Sequence, residues 1–207
     1  RSFAVITQVI VDPKDPAFDH PSKPIGVFYS QEDAQKLTEE RGWELIEDAG
    51  RGFRRVVPSP HPLEIVEKKI FHEILEAGFI AIGGGGGGIP VIRESNGELS
   101  GVEAVIDKDR TSALLANEVG IEQLVILTEV DFAYLNFKSS QPQPIRNITV
   151  SKMESYLEQG EFIEGSMKPK VEAAIDFIKK GGQKAIIANL YDLLMAVEEK
   201  TGTHISA

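Results

Sequence analysis

The segment KPKVEAAIDFIKKGGQKAIIAN, Lys168 to Asn189, indicates the fold because it joins an amphipathic helix directly to a buried strand. Pro169 stands near the start of the helical pattern, where the missing N–H of a proline costs least. Apolar residues then recur at helical spacing: Val171, Ala174, Ile175 and Ile178. Two glycines end this pattern, and the apolar run KAIIAN that follows is typical of a strand.

The same alternation extends toward the N-terminus. LVILT, Leu124 to Thr128, is a continuous apolar run of the kind that buried parallel strands require. FAVITQVIV, Phe3 to Val11, predicts one strand, Phe79 to Ile82 predicts a buried strand, and GVEAVID, Gly101 to Asp107, predicts another. Helical patterns separate these runs, so we expect an α/β fold with a mainly parallel central sheet.

Residues 13–62 differ from the rest of the chain in rhythm and composition. Prolines and aspartates are dense at their start, and three prolines close them in VPSPHP. We therefore expect a small inserted subdomain at about 13–62 within one α/β domain that spans residues 1–207.

The bulk composition excludes several classes of function. The 207 residues carry a net charge of −10, which argues against a nucleic-acid surface or an anionic-membrane surface. There is no cysteine, so disulfides, thiolate metal sites and cysteine nucleophiles are excluded. No apolar run approaches the roughly 20 residues that span a bilayer. Together these features predict a cytoplasmic protein that contacts neither nucleic acid nor membrane.

The six glycines of FIAIGGGGGGIP, Phe79 to Pro90, admit three interpretations. Gly83, Gly85 and Gly88 satisfy the dinucleotide pattern G-x-G-x-x-G, but a glycine run matches any such spacing, and no helix pattern follows directly. The run is also compatible with a flexible turn between strands. Alternatively, its bare backbone N–H groups lie at the end of a strand, where α/β sheets bind ligands, and would bind an anion.

Lysines at two predicted strand–helix junctions favour an anion site. Lys108 precedes Asp109 in VIDKD, and Lys168 and Lys170 lie at the first turn of another helix in GSMKPK. Lysines usually avoid helix N-termini, where the helix dipole is positive. Placed there they reinforce an anion site, although each alone would ordinarily be a solvated surface lysine.

Other catalytic chemistry has little support in the sequence. The four histidines are scattered and form no H-x-x-x-H pair, so a zinc site is not expected. We expect no metal ligands among the protein side chains. The sequence also lacks a G-x-S-x-G nucleophile elbow and a P-loop.

Several segments, in this order along the chain, resemble the carbamate kinases of the amino acid kinase superfamily. They are VITQVIVDPKDPAFDHPSKPIGVFYS, AGRGFRRVVPSPHP, GGGGIP, GVEAVIDKD, LTEVDFAYLNF, GSMKPKVEAAIDF and GTHI. The resemblance implies a three-layer α/β/α sandwich, usually dimeric, with the inserted subdomain acting as a lid. It implies Mg²⁺-dependent phosphoryl transfer between ATP or ADP and carbamate or carbamoyl phosphate, mainly forming ATP in arginine catabolism.

The resemblance also implies roles for individual residues. Lys108 and Lys170 would flank the transferred phosphoryl group, Asp109 would orient both lysines, and Lys23 would close over the site with the lid. The glycines that match the family's four are expected to line the pocket for carbamate or phosphate: Gly85, Gly86, Gly87 and Gly88. A second group would contact ADP: Thr128, Asp131, Tyr134, Met167 and Lys170. Carbamate is already an oxyanion, so its phosphorylation needs no general base, and phosphoryl transfer depends on positioning and charge neutralisation.

Departures from the family pattern leave two alternatives. Family members carry a glycine-rich phosphate-binding turn upstream of the point where this sequence starts, so a non-catalytic homologue that binds nucleotide remains possible. Arg110, Thr111 and Ser112 also replace the usual small or aromatic run after the lysine motif, and Glu129 stands where Asp or Gly is commoner. The other alternative is an amino acid kinase acting on acetylglutamate, aspartate or UMP, which the inserted subdomain disfavours.

Overall fold

The computed structural model describes residues 1–48 and 50–207, and strands alternate with helices along these ranges. The strands are β1 (Ser2–Ala4), β2 (Gln8–Val11), β3 (Lys23–Tyr29), β4 (Leu45–Glu47), β5 (Phe53–Val57), β6 (Pro62–Ile65), β7 (Ile80–Ile82), β8 (Ile89–Arg93), β9 (Leu99–Gly101), β10 (Gln123–Thr128), β11 (Ala133–Leu135), β12 (Gln143–Ile145), β13 (Asn147–Thr149), β14 (Lys184–Asn189) and β15 (Thr203–Ser206). The helices are α1 (Gln31–Arg41), α2 (Lys68–Glu76), α3 (Lys108–Glu118), α4 (Val150–Glu158), α5 (Met167–Lys179) and α6 (Leu193–Val197).

Two four-stranded sheets form the body of the protein. One has the order β10-β14-β15-β13, in which β10 runs parallel to β14 and β13 runs parallel to β15. The other has the order β6-β2-β8-β9, with β2 and β8 parallel and the outer strands antiparallel. Helices cross between the parallel strands, which confirms the α/β class expected from the alternation of patterns.

The structure corrects three strand predictions. The run from Phe3 to Val11 is two strands rather than one, because β1 pairs with β7 and β2 pairs with β6 and β8. Strand β7 is exposed rather than buried, with Ile80 and Ile82 at 65% and 57% exposure. Beyond Gly101, the run GVEAVID is irregular, and the N–H groups of Val102 and Val105 donate to the carbonyls of Pro90 and Pro58.

A separate three-stranded antiparallel sheet lies within residues 23–57. Its order is β3-β5-β4, and α1 connects β3 to β4. Ser30 caps α1 by accepting a hydrogen bond from the Asp33 N–H, and Gly42 ends the helix in the left-handed conformation. This small sheet carries Lys23 at its edge nearest to α3, as described below.

Helix α3 contributes side chains to two hydrophobic cores. Ala113 and Ala116 are buried in the larger core, which also contains the apolar side chains of α5, β10 and β14. Leu114, Leu115 and Val119 pack against the smaller core around Val9, Ile65 and Phe71. The N-terminus of α3 therefore has a fixed position relative to both sheets. Among the described residues, none of the helices has the length and apolar character needed to cross a membrane.

Candidate active site

The first turn of α3 is organised by the buried carboxylate of Asp107. This residue is the N-cap of the helix, and its Oδ1 accepts hydrogen bonds from the N–H groups of Asp109 at 2.9 Å and Arg110 at 3.4 Å. An aspartate at this position satisfies backbone donors that have no partner within the helix. The cap determines where Lys108 and Asp109 enter the site.

An ion pair joins the N-terminal turns of α3 and α5. Lys170 Nζ donates to Asp109 Oδ2 at 2.9 Å, and both side chains are almost fully buried, at 13% and 9% exposure. Lys108 Nζ lies 3.9 Å from the same carboxylate oxygen, but the Lys108 side chain is 64% exposed. The structure thus brings the three charged residues predicted from the sequence together, with Asp109 in contact with both lysines.

A second ion pair connects the small sheet to α3. Lys23 Nζ donates to Asp107 Oδ2 at 2.5 Å, across 84 positions of sequence. Burial alone would raise the pKa of Asp107, but the hydrogen bond and charge of Lys23, with the N–H groups of Asp109 and Arg110, outweigh it. The pKa of Asp107 therefore lies below its ordinary value, so the carboxylate is ionised at neutral pH.

The glycine run passes beside the start of α3 and forms a 3₁₀ turn at Gly85–Gly87. Thr111 Oγ1 donates to the carbonyl of Gly87 at 2.8 Å and thereby fixes the turn to the helix. A Cβ on Gly87 would lie 2.0 Å from the carbonyl oxygen of Ile106, whereas a Cβ on Gly85 would meet nothing within 4 Å. One side of the turn is therefore packed and the other faces open space.

A cavity of about 250 Å³ lies at the C-terminal end of β10. Three of the residues expected to contact nucleotide line it, namely Thr128, Tyr134 and Met167. Burial, and secondarily the negative charge of Asp131, raises the pKa of the Tyr134 hydroxyl. Asp131 itself accepts a hydrogen bond from Asn189 Nδ2 at 2.9 Å, at the end of β14.

The sequence did not predict several residues of the site at the start of α3 and of the cavity at the end of β10. Asp107 was not predicted to pair with Lys23, although its position just before the lysine motif is typical of an N-cap. Further residues line the cavity: Glu129, Val130, Phe137, Glu161, Phe162, Ile163 and Ser166. Lys168 does not join the other lysines and pairs instead with Glu164, whose hydrogen bond raises the pKa of Lys168.

The described residues contain no cluster of three or more histidine, aspartate or glutamate side chains that could hold a metal ion. Two anionic oxygens near the glycine turn, those of Asp107 and Asp109, are already paired with lysines.

The sequence and the fold of this chain have counterparts among known proteins. The amino acid kinase family matches residues 21–189. The chain belongs to this family. Among its relatives, the carbamate kinase of Pyrococcus horikoshii is 52% identical over 202 residues, which cover 98% of this chain and 64% of the relative.

Solved structures of related proteins also superimpose on this chain. The carbamate kinase of Giardia lamblia bound to citric acid superimposes with a TM-score of 0.91 at 43% identity, over 99% of this chain and 64% of that one. The Giardia lamblia enzyme bound to AMP-PNP gives a TM-score of 0.87 at the same identity, over 99% and 65% of the two chains. This member of the amino acid kinase family thus spans about 64% of the length of the curated relatives it matches.

Proposed function

We propose that the protein catalyses reversible phosphoryl transfer between ATP or ADP and carbamate or carbamoyl phosphate, and that in the cell it mainly forms ATP in arginine catabolism. The observation that carries the proposal is the convergence of Lys170, Asp109 and Lys108 beside an open glycine turn. Its relatives bear the name carbamate kinase, and one related structure holds an ATP analogue.

The two lysines would neutralise the charge of the transferred phosphoryl group. Negative charge spreads over the phosphoryl oxygens in the transition state, and cations held in place there lower the barrier. Lys170 is nearly buried, so its interaction with a phosphate is weakly screened by water. Asp109 would hold Lys170 and Lys108 in position, because its Oδ2 lies within 4 Å of both ammonium groups.

The glycine turn would bind the acceptor. We assign Gly85, Gly86, Gly87 and Gly88 to the pocket for carbamate and its phosphate. The open space beside Gly85 and Gly86 supports this assignment, because a side chain there would occupy the volume of a small anion. The N–H groups of Gly87 and Gly88 donate within the turn to the carbonyls of Gly84 and Gly85, so the N–H groups of Gly85 and Gly86 would attract the anion.

The subdomain of about residues 13–62 would act as a lid within a single domain of 1–207. Lys23 is the first residue of the small sheet, and its pairing with Asp107 brings a third cation to the start of α3. In this proposal Lys23 keeps its contact with Asp107 and donates a further N–H to the phosphoryl group when substrate is bound, and the lid excludes water from the site.

The cavity at the end of β10 would hold the nucleotide. Its volume of about 250 Å³ and its lining by Thr128, Tyr134 and Met167 suit an adenine base placed against an aromatic ring. We assign Asp131 to the ribose or to water near it, and Lys170 to the phosphates. Mg²⁺ would enter with the nucleotide, bound by phosphate oxygens and water, where it neutralises negative charge. We propose a cytoplasmic homodimer as the working form.

The function is tested by measuring ATP formation from ADP and carbamoyl phosphate with Mg²⁺, using the purified chain at a confirmed mass of 22.7 kDa. In the reverse direction ATP is offered with carbamate, acetylglutamate, aspartate or UMP. Turnover with carbamate or carbamoyl phosphate alone supports the proposal. Turnover with another acceptor would assign the chain to another branch of the family. ADP binding without any turnover would indicate a non-catalytic homologue.

A further inference from the structure

A second ion pair joins α3 and α5 next to the pair formed by Lys170 and Asp109. Arg110 Nη2 donates to Glu172 Oε2 at 2.7 Å, and the two side chains are 21% and 25% exposed. Arg110 lies in the run Arg110–Ser112, which departs from the family pattern. The lysine motif VIDKD therefore does not account for this contact. It lies one residue beyond Asp109 on α3 and two residues beyond Lys170 on α5.

The two pairs have opposite polarity across the same helix–helix contact. In one pair α3 supplies the acid and α5 the base, and in the other α3 supplies the base and α5 the acid. A displacement of one helix along the other would lengthen at least one of the pairs. Mispairing would also bring like charges together, which is unfavourable in a partly buried site. The two contacts together therefore specify one relative position of the helix starts.

The buried alanines of these two helices specify that position less strictly than the ion pairs do. Ala113 and Ala116 of α3, and Ala173 and Ala174 of α5, are all buried in the same core. Alanine side chains allow helices to approach closely, but they are too small to interlock as long side chains do. The charged residues at the N-terminal ends can therefore determine the alignment where the chemistry takes place.

Arg110 also controls the electrostatic surroundings of Glu172. Glu172 lies four residues after Lys168 on the same helix, and its negative charge helps to raise the pKa of Lys168, whereas Arg110 lowers it. Without Arg110, the Glu172 carboxylate would be partly buried without its partner on the opposite helix. It would then attract Lys168 at the start of α5, where the alignment with α3 is needed.

We propose that Arg110 and Glu172 are positioning residues for phosphoryl transfer: their ion pair holds the start of α5 so that Lys170 is aligned with Asp109 and Lys108. The proposal rests on the function proposed above, and neither residue contacts substrate in it. A displacement of about 1 Å at a catalytic group costs up to roughly 100-fold in rate, so the effect belongs in kcat.

The test compares Arg110→Ala, Glu172→Ala, Arg110→Lys and the exchanged double variant Arg110→Glu with Glu172→Arg. We expect kcat for ATP formation to fall roughly 10- to 100-fold in the alanine variants, with KM for ADP within about twofold of wild type. Arg110→Lys keeps the charge and the polarity of the pair and should recover most of kcat. The exchanged variant gives both pairs the same polarity, so mispairing is no longer unfavourable and it should recover much less than Arg110→Lys. Lys179→Ala, which breaks the Lys179–Glu154 pair at the far end of α5, is the matched control.

A second readout does not require turnover. The melting temperatures of wild type, Arg110→Ala, Lys170→Ala and the double variant form a double-mutant cycle. If the two ion pairs are coupled, the fall in melting temperature of the double variant differs from the sum of the falls in the two single variants. Additive losses, or wild-type kcat in the alanine variants, would overturn the positioning role. If the wild-type chain is inactive, only the proposed function is contradicted. The melting cycle then decides whether the two ion pairs are coupled.

Discussion

Lys170 Nζ lies 2.9 Å from Asp109 Oδ2 although 61 positions of sequence separate the two residues. The contact joins the first turn of α5, the helix that precedes β14, to the first turn of α3, the helix beside the glycine turn. Since both side chains are nearly buried, the pair holds the Lys170 ammonium group at the first turn of α3. The proposed chemistry depends on this contact, and the predictions below examine the residues around it.

Asp107 caps α3 and pairs with Lys23, and one isosteric substitution separates these two roles. Asp107→Asn keeps an oxygen that can cap α3, because asparagine and aspartate are comparable N-caps, but it removes the charge that holds Lys23. We expect kcat/KM for carbamoyl phosphate to fall about tenfold, which corresponds to about 1.4 kcal/mol, and the melting temperature at neutral pH to fall because the charge that Lys23 stabilises is lost. Asp107→Ala should in addition lose about 1 kcal/mol of stability with the cap. Unchanged kinetics in Asp107→Asn would exclude a role for its contact with Lys23.

The stability of the protein should depend on pH through the same carboxylate. The pKa of Asp107 is lower in the folded protein than its ordinary value of 3.8, despite the opposing effect of burial, because Lys23 and two backbone N–H groups stabilise the charged form. Its stabilising contribution is therefore present above about pH 4 and is lost as the pH falls through the folded pKa.

Melting curves between pH 7 and pH 3 test this dependence. The difference in melting temperature between wild type and Asp107→Ala should be constant at neutral pH and should shrink below about pH 4. A difference that stays constant down to pH 3 would contradict a lowered pKa for Asp107 in the folded state.

Two glycines of the same turn should respond differently to alanine. A Cβ at Gly87 would approach the carbonyl oxygen of Ile106 to 2.0 Å, and the residue has a φ of +103°, so Gly87→Ala should destabilise the protein by about 2–3 kcal/mol. Gly85 has open space around its Cβ direction, so Gly85→Ala should melt within a few degrees of wild type. Its KM for carbamoyl phosphate should nevertheless rise, because the new methyl group would lie in the proposed acceptor pocket. Equal kinetics for Gly85→Ala and wild type would place the acceptor elsewhere.

The cavity at the end of β10 predicts a selective effect on nucleotide binding. Tyr134→Ala removes an aromatic side chain from the lining, so we expect the Kd for ADP to rise roughly tenfold, a loss of about 1.4 kcal/mol. Calorimetric titration with ADP measures the change, and Tyr156→Ala on α4 serves as an aromatic control outside the lining. An ADP affinity that is unaltered in Tyr134→Ala would exclude this cavity as the base site.

Local patterns in the sequence predicted the elements better than their partners. The runs LVILT and KAIIAN became the parallel pair β10 and β14. Strand β14 is buried along its apolar run, as expected for a strand covered on both faces, whereas Leu127 of β10 is exposed. GVEAVID has similar composition, but its N–H groups donate to Pro90 and to Pro58 in turn, so the segment crosses between neighbours instead of pairing with one strand. Composition carries no information about such alternation of partners.

The candidate site shows the same limit. Lys108, Asp109 and Lys170 were identifiable as charged residues at helix starts, and the family resemblance supplied their proposed roles. The predicted strand directly before each helix is absent among the described residues, because the segment before α3 is irregular and α5 follows α4. The pairing of Lys23 with Asp107 and of Arg110 with Glu172 spans 84 and 62 positions and depends on how the small sheet and α5 pack on α3. Long-range contacts of this kind follow from tertiary packing, which no local pattern encodes.

The most direct test of the central claim is ATP formation from ADP and carbamoyl phosphate by wild type and by Lys170→Ala, measured side by side with Mg²⁺. The account predicts turnover by wild type and a loss of at least about 100-fold in kcat for Lys170→Ala, since a charge that stabilises the transition state is removed. Wild-type turnover that persists in Lys170→Ala would contradict the assignment of phosphoryl transfer to the contact between Lys170 and Asp109.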